Sequence, residues 1–331
     1  MANQSHKKPH IPLIPSSFRT LKKCQSEVQA HDPMMAEATT IMAALSTLSP
    51  PQLSDLTLSI FSDINRHHYR LLSLLSSPTL FSLTLHHLHS LSLQHKALLI
   101  ARHLLSALRL LTLHLHPKPP PRPPLPSTTI KQRDLDAVLL LLLLCEIRQH
   151  NPEALETSPT KWRAAVSKLW SGAMLTLSGI GFYNGSVLIP YVEMVTRCWK
   201  FVDEMGHCGG DGDGKVAASP AAVVTLPSVG VRGRGVECVI CKEEMREGRD
   251  VCELPCEHLF HWMCILPWLR KSNTCPCCRF SLPTDDVFGE IQRLWELLVK
   301  MGSRRSVGEY CTVTSVMNDH HRDTMEGGDS Q

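Results

Sequence analysis

The stretch CVICKEEMREGRDVCELPCEHLFHWMCILPWLRKSNTCPCC, residues 238–278, gathers eight metal-type ligands into one short run. They follow in the order Cys238, Cys241, Cys256, His258, His261, Cys264, Cys275 and Cys278, separated by 2, 14, 1, 2, 2, 10 and 2 residues. Zinc takes four soft or borderline donors in a tetrahedron, and a CxxC pair can wrap two thiolates around one ion through a tight turn. Eight donors complete two four-coordinate sites and leave no open position, so the metal is expected to hold structure and not to activate water. Its binding energy becomes folding energy for a module too small to build a large core. Spacing alone does not say which four ligands share an ion.

The order and gaps resemble a RING finger of the H2 subtype over roughly residues 236–283. That resemblance implies a small α+β domain in which two Zn2+ ions are bound in a cross-brace. One ion would lie on Cys238, Cys241, His261 and Cys264, the other on Cys256, His258, Cys275 and Cys278. It extends to positions that are not ligands: Ile240 before the second ligand, Trp268 four residues beyond Cys264, and Pro276 and Arg279 around the last pair. In RING ubiquitin ligases the equivalents of Ile240, Trp268 and Pro276 form a shallow apolar groove for a ubiquitin-conjugating enzyme. The equivalent of Arg279 bonds both that enzyme and ubiquitin. The resemblance therefore implies a RING-type E3 ubiquitin transferase with no catalytic nucleophile or base, whose contribution is to position a charged conjugating enzyme. Arg279 suits that task because a guanidinium fork can bridge two carbonyl acceptors where a lysine offers one point charge. The competing reading is a zinc-stabilised interaction scaffold without transfer activity. Ile240, Trp268 and Arg279 together favour the ligase, since a scaffold needs only the metal ligands.

Composition bounds the rest. The chain has 331 residues and a net charge of +3, too small to imply nucleic acid as partner. The segment between the second and third ligands carries Glu243, Glu244, Glu247, Asp250 and Glu253, the reverse of a basic recognition surface. Of 13 cysteines, six are ligands, and Cys24, Cys145, Cys198, Cys208, Cys252, Cys277 and Cys311 form no framework, which suits a reducing compartment. Cys252 is expected to pack as a small apolar residue and Cys277 to lie exposed beside its site. The longest apolar run, Ala137 to Cys145, is far shorter than the roughly 20 residues of a membrane-spanning helix and reads as a buried helix of a soluble domain. No transmembrane segment is expected.

The front of the chain reads as a mainly α domain over residues 34–205. Ser49 before Pro50 and Pro51, and Ser77 before Pro78, are helix-start signals. Leu98, Leu99, Ile100, Leu104, Leu105, Leu108, Leu111 and Leu115 recur at helical spacing. Trp162, Val166, Leu169 and Trp170 share one face of a helix opened by Ser158-Pro159, and Val192, Val195, Trp199 and Val202 one opened near Pro190. His67, His68, His86, His87, His89, His95, His103, His114 and His116 fall on several faces and are expected at surface or boundary positions, not on a metal. Residues 117–126, seven prolines in ten, read as a stiff extended insert in the domain.

Around these lie segments expected to have little structure. Residues 1–33 read as an extension; the acid-free, Lys/Arg-bearing first 26 resemble a transit peptide in composition, but Pro9, Pro12 and Pro15 spoil an amphipathic helix. Residues 206–235 read as a flexible linker, in which Asp211-Gly212-Asp213-Gly214 lacks the twelfth-position Glu of a calcium loop. Residues 284–302 read as a helix started by Asp285 or Asp286, with Val287, Ile291, Leu294 and Leu298 as its apolar stripe, Gly302 as its stop, and the RING as a surface it can pack on. Residues 303–331 read as a disordered tail.

The helical half also resembles a family of plant RING ligases associated with amyloplasts and shoot gravitropism. IMAALSTLSPPQLSDL (41–56), SLLSSPTLFSLTLHHLHSLSL (73–93) and LLIARHLLSAL (98–108) carry the likeness. It implies partners of two kinds: a conjugating enzyme carrying ubiquitin at the RING, and a protein substrate or organelle-surface adaptor at the helices. Ubiquitin and its conjugating enzymes are cytosolic or nuclear, so the place implied is the cytosolic face of the amyloplast.

Overall fold

The computed structural model describes residues 33–115, 130–159, 161–168, 187–206, 216–231, 235–245 and 250–318. The N-terminal extension, the proline-rich insert, Leu169, Trp170, His116, the Asp-Gly repeat and the last residues of the chain lie outside them. Two separate apolar cores organise the rest.

The larger core belongs to helices α1 (Pro33–Leu45), α2 (Pro50–Ser76), α3 (Pro78–Ser90), α4 (Leu93–Leu111), α5 (Gln132–His150) and α6 (Leu188–Gly206). The Ser-Pro signals act as their types suggest. Gln52 Oε1 accepts from the Ser49 N–H at 3.0 Å to open α2, and Ser77 Oγ accepts from the Leu80 N–H at 3.2 Å to open α3. Pro78 disfavours helical backbone at Ser77, so the chain breaks there and turns. The run Ala137–Cys145 lies in α5, with Ala137, Val138 and Leu140 fully buried. Among the described residues no helix is long and apolar enough to cross a membrane. Asp136, at the base of that run, is buried and receives both arms of the Arg70 guanidinium, at 2.9 and 2.6 Å, which ties α5 to α2.

The second, smaller core lies in the zinc-ligand region and has Phe260, Cys252, Leu254, Ile265 and Leu282 at its centre. A three-stranded antiparallel sheet, β1 (Ser228–Val229), β2 (Val251–Glu253) and β3 (Leu259–His261), pairs in sequence order. A short helix α7 (Pro220–Val224) precedes it and α8 (Trp262–Leu269) follows.

Four expectations need correction. Residues 216–231, expected in the linker, are part of the small domain: the Ala218 N–H bonds Leu269 O at 2.9 Å, the Ser219 N–H bonds Pro283 O at 2.8 Å, and β1 lengthens the sheet. Their Ser219-Pro220 pair is the same start signal used by α2 and α3, here with Ser219 Oγ accepting from the Ala222 N–H. The C-terminal helix, α9 (Val287–Asn318), runs well past residue 302 and does not use the RING as its packing surface. Ile291, Leu294, Trp295 and Leu298 join the core of the N-terminal bundle, and Trp295 stacks on Trp199 with ring centroids 4.3 Å apart. Gly302 therefore does not stop the helix; it lets α9 touch α1, since a Cβ there would collide with the Thr40 carbonyl oxygen and lie 2.9 Å from its methyl. Finally, His103 is buried, its ring 5.2 Å from that of His67, in the layer between α4 and α2.

Two tests follow. Gly302→Val should destabilise the bundle by about 1–3 kcal/mol, because a backbone carbonyl cannot move aside as a side chain can; thermal unfolding read by circular dichroism measures it. Burial lowers the pKa of His103 to about 4, so between its unfolded value near 6.5 and that value the unfolded chain binds the extra proton. Stability is full above pH 6.5 and falls as pH drops towards 4, and His103→Leu should flatten that slope.

Candidate metal centre

The ligands reach their places through two copies of one backbone device. In the first, the Lys242 N–H bonds Cys238 O at 2.7 Å and the Cys238 N–H bonds Glu243 O at 2.9 Å. In the second, the Arg279 N–H bonds Cys275 O at 2.9 Å and the Cys275 N–H bonds Phe280 O at 2.8 Å. The offsets are identical, and each knuckle is closed by a bridge, Glu237 with Glu244 and Thr274 with Ser281. Lys242 and Arg279 both take left-handed backbone, φ 65° and 59°, directly after a CxxC pair. Such a conformation costs a residue with a Cβ roughly 1–2 kcal/mol. Neither residue is a glycine, so the sequence carries no turn signal for it.

The other four ligands hang on β3. Cys256 and His258 sit in the β2–β3 turn, where Glu257 has φ 66° and the Leu254 N–H bonds His258 O at 3.0 Å. His261 ends β3, and Cys264 lies in the first turn of α8. His258 and His261 join different knuckles. Cys238, Cys241, His261 and Cys264 form one cluster and Cys256, His258, Cys275 and Cys278 the other, with the potential ligand atoms of each within 4.8 Å of one another. This is the cross-braced pairing that the sequence resemblance implied.

The donors fit zinc. Cys241 Sγ lies 3.3 Å from His261 Nδ1, and Cys256 Sγ 3.4 Å from His258 Nδ1. A tetrahedron with zinc–sulfur near 2.3 Å and zinc–nitrogen near 2.0 Å has edges of about 3.5 Å. Each set of three thiols and one imidazole is a closed structural type, and the two clusters could hold two zinc ions. Burial raises the Cys256 and Cys264 thiols to about 12, with neighbouring cysteines adding to it. Burial also works to raise Cys238, but backbone N–H groups of Cys241, His261 and Ile240 bring it down to about 6. Cys252 joins neither cluster; it is fully buried in β2 opposite Phe260, and burial pushes its thiol up to about 12, as befits a packing residue. Cys277 is exposed.

The non-ligand positions singled out in the sequence stand on this frame. Ile240 is on the first knuckle and 38% exposed, and Trp268 lies one helical turn beyond Cys264 and is 42% exposed. Ile240 and Trp268 are thus tied to the same cluster, through Cys238/Cys241 and Cys264 respectively. The Trp268 indole N–H donates to Thr274 O at 2.7 Å, which links α8 to the second knuckle, where Pro276 is half-buried and Arg279 exposed.

The Ring finger domain family matches residues 236–279. Over 275 residues the chain is 54% identical to the E3 ubiquitin-protein ligase SGR9, amyloplastic, of Arabidopsis thaliana, covering 79% of this chain and 95% of that protein. The chain belongs to the RING-type E3 ubiquitin ligases. Shorter matches include 45% identity over 78 residues to E3 ubiquitin-protein ligase RING1-like of Arabidopsis thaliana, 22% of this chain and 24% of that one. E3 ubiquitin-protein ligase RNF181 of Danio rerio is 49% identical over 73 residues, 21% of this chain and 47% of its own. No solved structure matches. The enzyme class thus rests on a relative aligned through both the helical bundle and the RING.

Removing zinc from this RING ligase should unfold the small domain and leave the bundle standing, because the larger core contains none of the ligands. Chelator titration followed by tryptophan fluorescence and circular dichroism should show loss of the Trp268 environment with most helicity kept. Elemental analysis should count two zinc per chain, in line with the two clusters.

Proposed function

We infer that the RING of this ligase binds a ubiquitin-charged conjugating enzyme through Ile240, Trp268 and Pro276, and that Arg279 holds the enzyme and ubiquitin in an orientation ready for attack by a substrate lysine. The observation that carries this reading is the exposure of two large apolar side chains, Ile240 and Trp268, on backbone pinned by one metal cluster. A core tryptophan would be covered; this one has its N–H satisfied inside the domain and its ring partly free to pack. Apolar aromatics of that kind anchor protein interfaces. Arg279 follows a ligand directly, so the knuckle fixes its Cα while its fork remains outside. The eight Cys and His side chains supply the zinc frame. Zinc, when bound, contributes charge neutralisation and rigidity; no proton moves through it.

The place of action is part of the same reading. The relative aligned over nearly its whole length is named amyloplastic. A ligase needs ubiquitin and conjugating enzyme, so it works on the cytosolic face of that organelle, with the helical bundle as the element that finds the surface or a substrate there. The gravitropic role suggested by the resemblance of residues 41–108 belongs here too.

The test is lysine discharge from a ubiquitin-charged conjugating enzyme by the full chain. Wild-type protein should accelerate discharge. Arg279→Ala should lose at least tenfold, about 1.4 kcal/mol of positioning, while keeping both zinc ions, and His261→Ala should lose activity and metal together. An Arg279→Ala protein as active as wild type refutes the positioning role, and an inactive zinc-loaded wild type refutes the ligase reading in favour of a scaffold. Protease treatment of intact amyloplasts should remove the chain; full protection would place it inside.

A further inference from the structure

The two CxxC knuckles share a backbone pattern and differ in one side chain at the base. In the first, the Met245 N–H bonds Val236 O at 2.8 Å; in the second, at the same offsets from the ligands, the Leu282 N–H bonds Asn273 O at 2.6 Å. A hydrogen-bonded antiparallel pair exchanges two such bonds. In the second knuckle the return bond comes from a side chain: Asn273 Nδ2 donates to Leu282 O at 2.9 Å. The Asn273 backbone N–H is thereby left to donate to Val216 O at 2.7 Å. One residue closes the base of the hairpin and ties it to the segment entering the small domain. Val236, at the equivalent place, has no side-chain donor.

The position matters because of what stands on either side. Trp268 is on α8 and held through Cys264 to the first cluster, while Pro276 and Arg279 are on the hairpin and held through Cys275 and Cys278 to the second. Each cluster fixes its own part and leaves the angle between the two to β3 and to the joint at residues 270–274. That joint is densely bonded. The Ser272 N–H donates to Trp268 O at 2.9 Å, the Ser272 and Thr274 hydroxyls share a hydrogen bond of 2.8 Å, and the Trp268 indole N–H reaches Thr274 O. Asn273 lies between Ser272 and Thr274, and its side chain crosses to the far arm of the hairpin, where Arg279 precedes Leu282 by three residues.

We propose that Asn273 is a positioning residue for ubiquitin transfer, whose amide sets the hairpin carrying Arg279 at the angle to α8 from which the guanidinium reaches conjugating enzyme and ubiquitin together. The proposal rests on the function inferred above. No bond is made or broken at Asn273; it acts through Leu282 and the arm that holds Arg279. Affinity for the conjugating enzyme then stays with Ile240 and Trp268, and the rate of transfer follows the aim of Arg279.

Lysine discharge measured with increasing amounts of the full zinc-loaded chain, in excess over charged conjugating enzyme, separates the maximal rate from the half-saturating concentration. Asn273→Ala should lower the maximal rate about fivefold and leave half-saturation within about threefold of wild type. Asn273→Asp, which keeps the shape but offers only acceptors to Leu282 O, should do the same. Both variants should keep two zinc per chain. Placed in the Arg279→Ala chain, Asn273→Ala should cost nothing further, because a residue that acts only through Arg279 has nothing left to aim. Wild-type rates in both variants would overturn the proposal. So would a shift in half-saturation alone, loss of zinc in both variants, or losses that multiply with Arg279→Ala, each of which makes Asn273 a structural residue only. An inactive wild type, or Arg279→Ala at the wild-type rate, would defeat the underlying reading and this proposal with it; both are seen with Asn273 intact, so the two failures are distinguishable.

Discussion

Strand β3 is the constraint on which the small domain rests. It is three residues long, with His258 just before it and His261 at its end. Each of those two imidazoles joins a different CxxC knuckle, and the two clusters brace the strand from opposite ends. Phe260, between them, is fully buried in the core with Cys252 and Leu254. The core is small and the chain around it is mostly turns, so the metal clusters supply what apolar burial cannot. Exposed side chains such as Ile240 and Trp268 are held where they are because the backbone beneath them has no freedom left.

The RING is joined to the bundle by a hydrogen-bonded turn. Pro283 O accepts from Ser219, the Thr284 N–H donates to Glu290, and Glu290 is gripped by both arms of Arg293 at 2.8 and 2.7 Å. Asp286 caps α9 by accepting from the Gly289 N–H at 2.6 Å. One helical turn later the same helix enters the core of the bundle, with Trp295 on Trp199 and Gly302 against Thr40. The bundle is therefore discontinuous in sequence, with the RING inserted before its last helix. A chain built this way connects the helical bundle to the RING through packed helix as well as through the chain entering at residue 216.

Much of this was legible in the sequence. The eight ligands announce themselves because zinc accepts few residue types at few spacings. Ser-Pro pairs mark helix starts because proline fixes φ and needs no N–H partner there. Ala137, Val138, Leu139, Leu140, Leu141 and Leu144 of the apolar run in α5 are buried, as is the stripe Val192, Val195, Trp199, Val202. Other features were not legible. Lys242, Glu257 and Arg279 adopt left-handed backbone without glycine, because the metal clusters and knuckle hydrogen bonds impose it. His103 looks like its eight histidine neighbours and is buried only because α2 and α4 meet there.

What the sequence by itself determined is the local chemistry: which residues can hold zinc, where helices begin, and which faces are apolar. An apolar stripe states that it will be buried, but not against what. Only the tertiary structure decided that the stripe of α9 faces the distant N-terminal bundle and not the adjacent RING, that Gly302 is a point of contact and not a stop, and that residues 216–231 complete a sheet. Those choices depend on the summed burial and close approach of elements far apart in the chain, and no local window of sequence contains both partners.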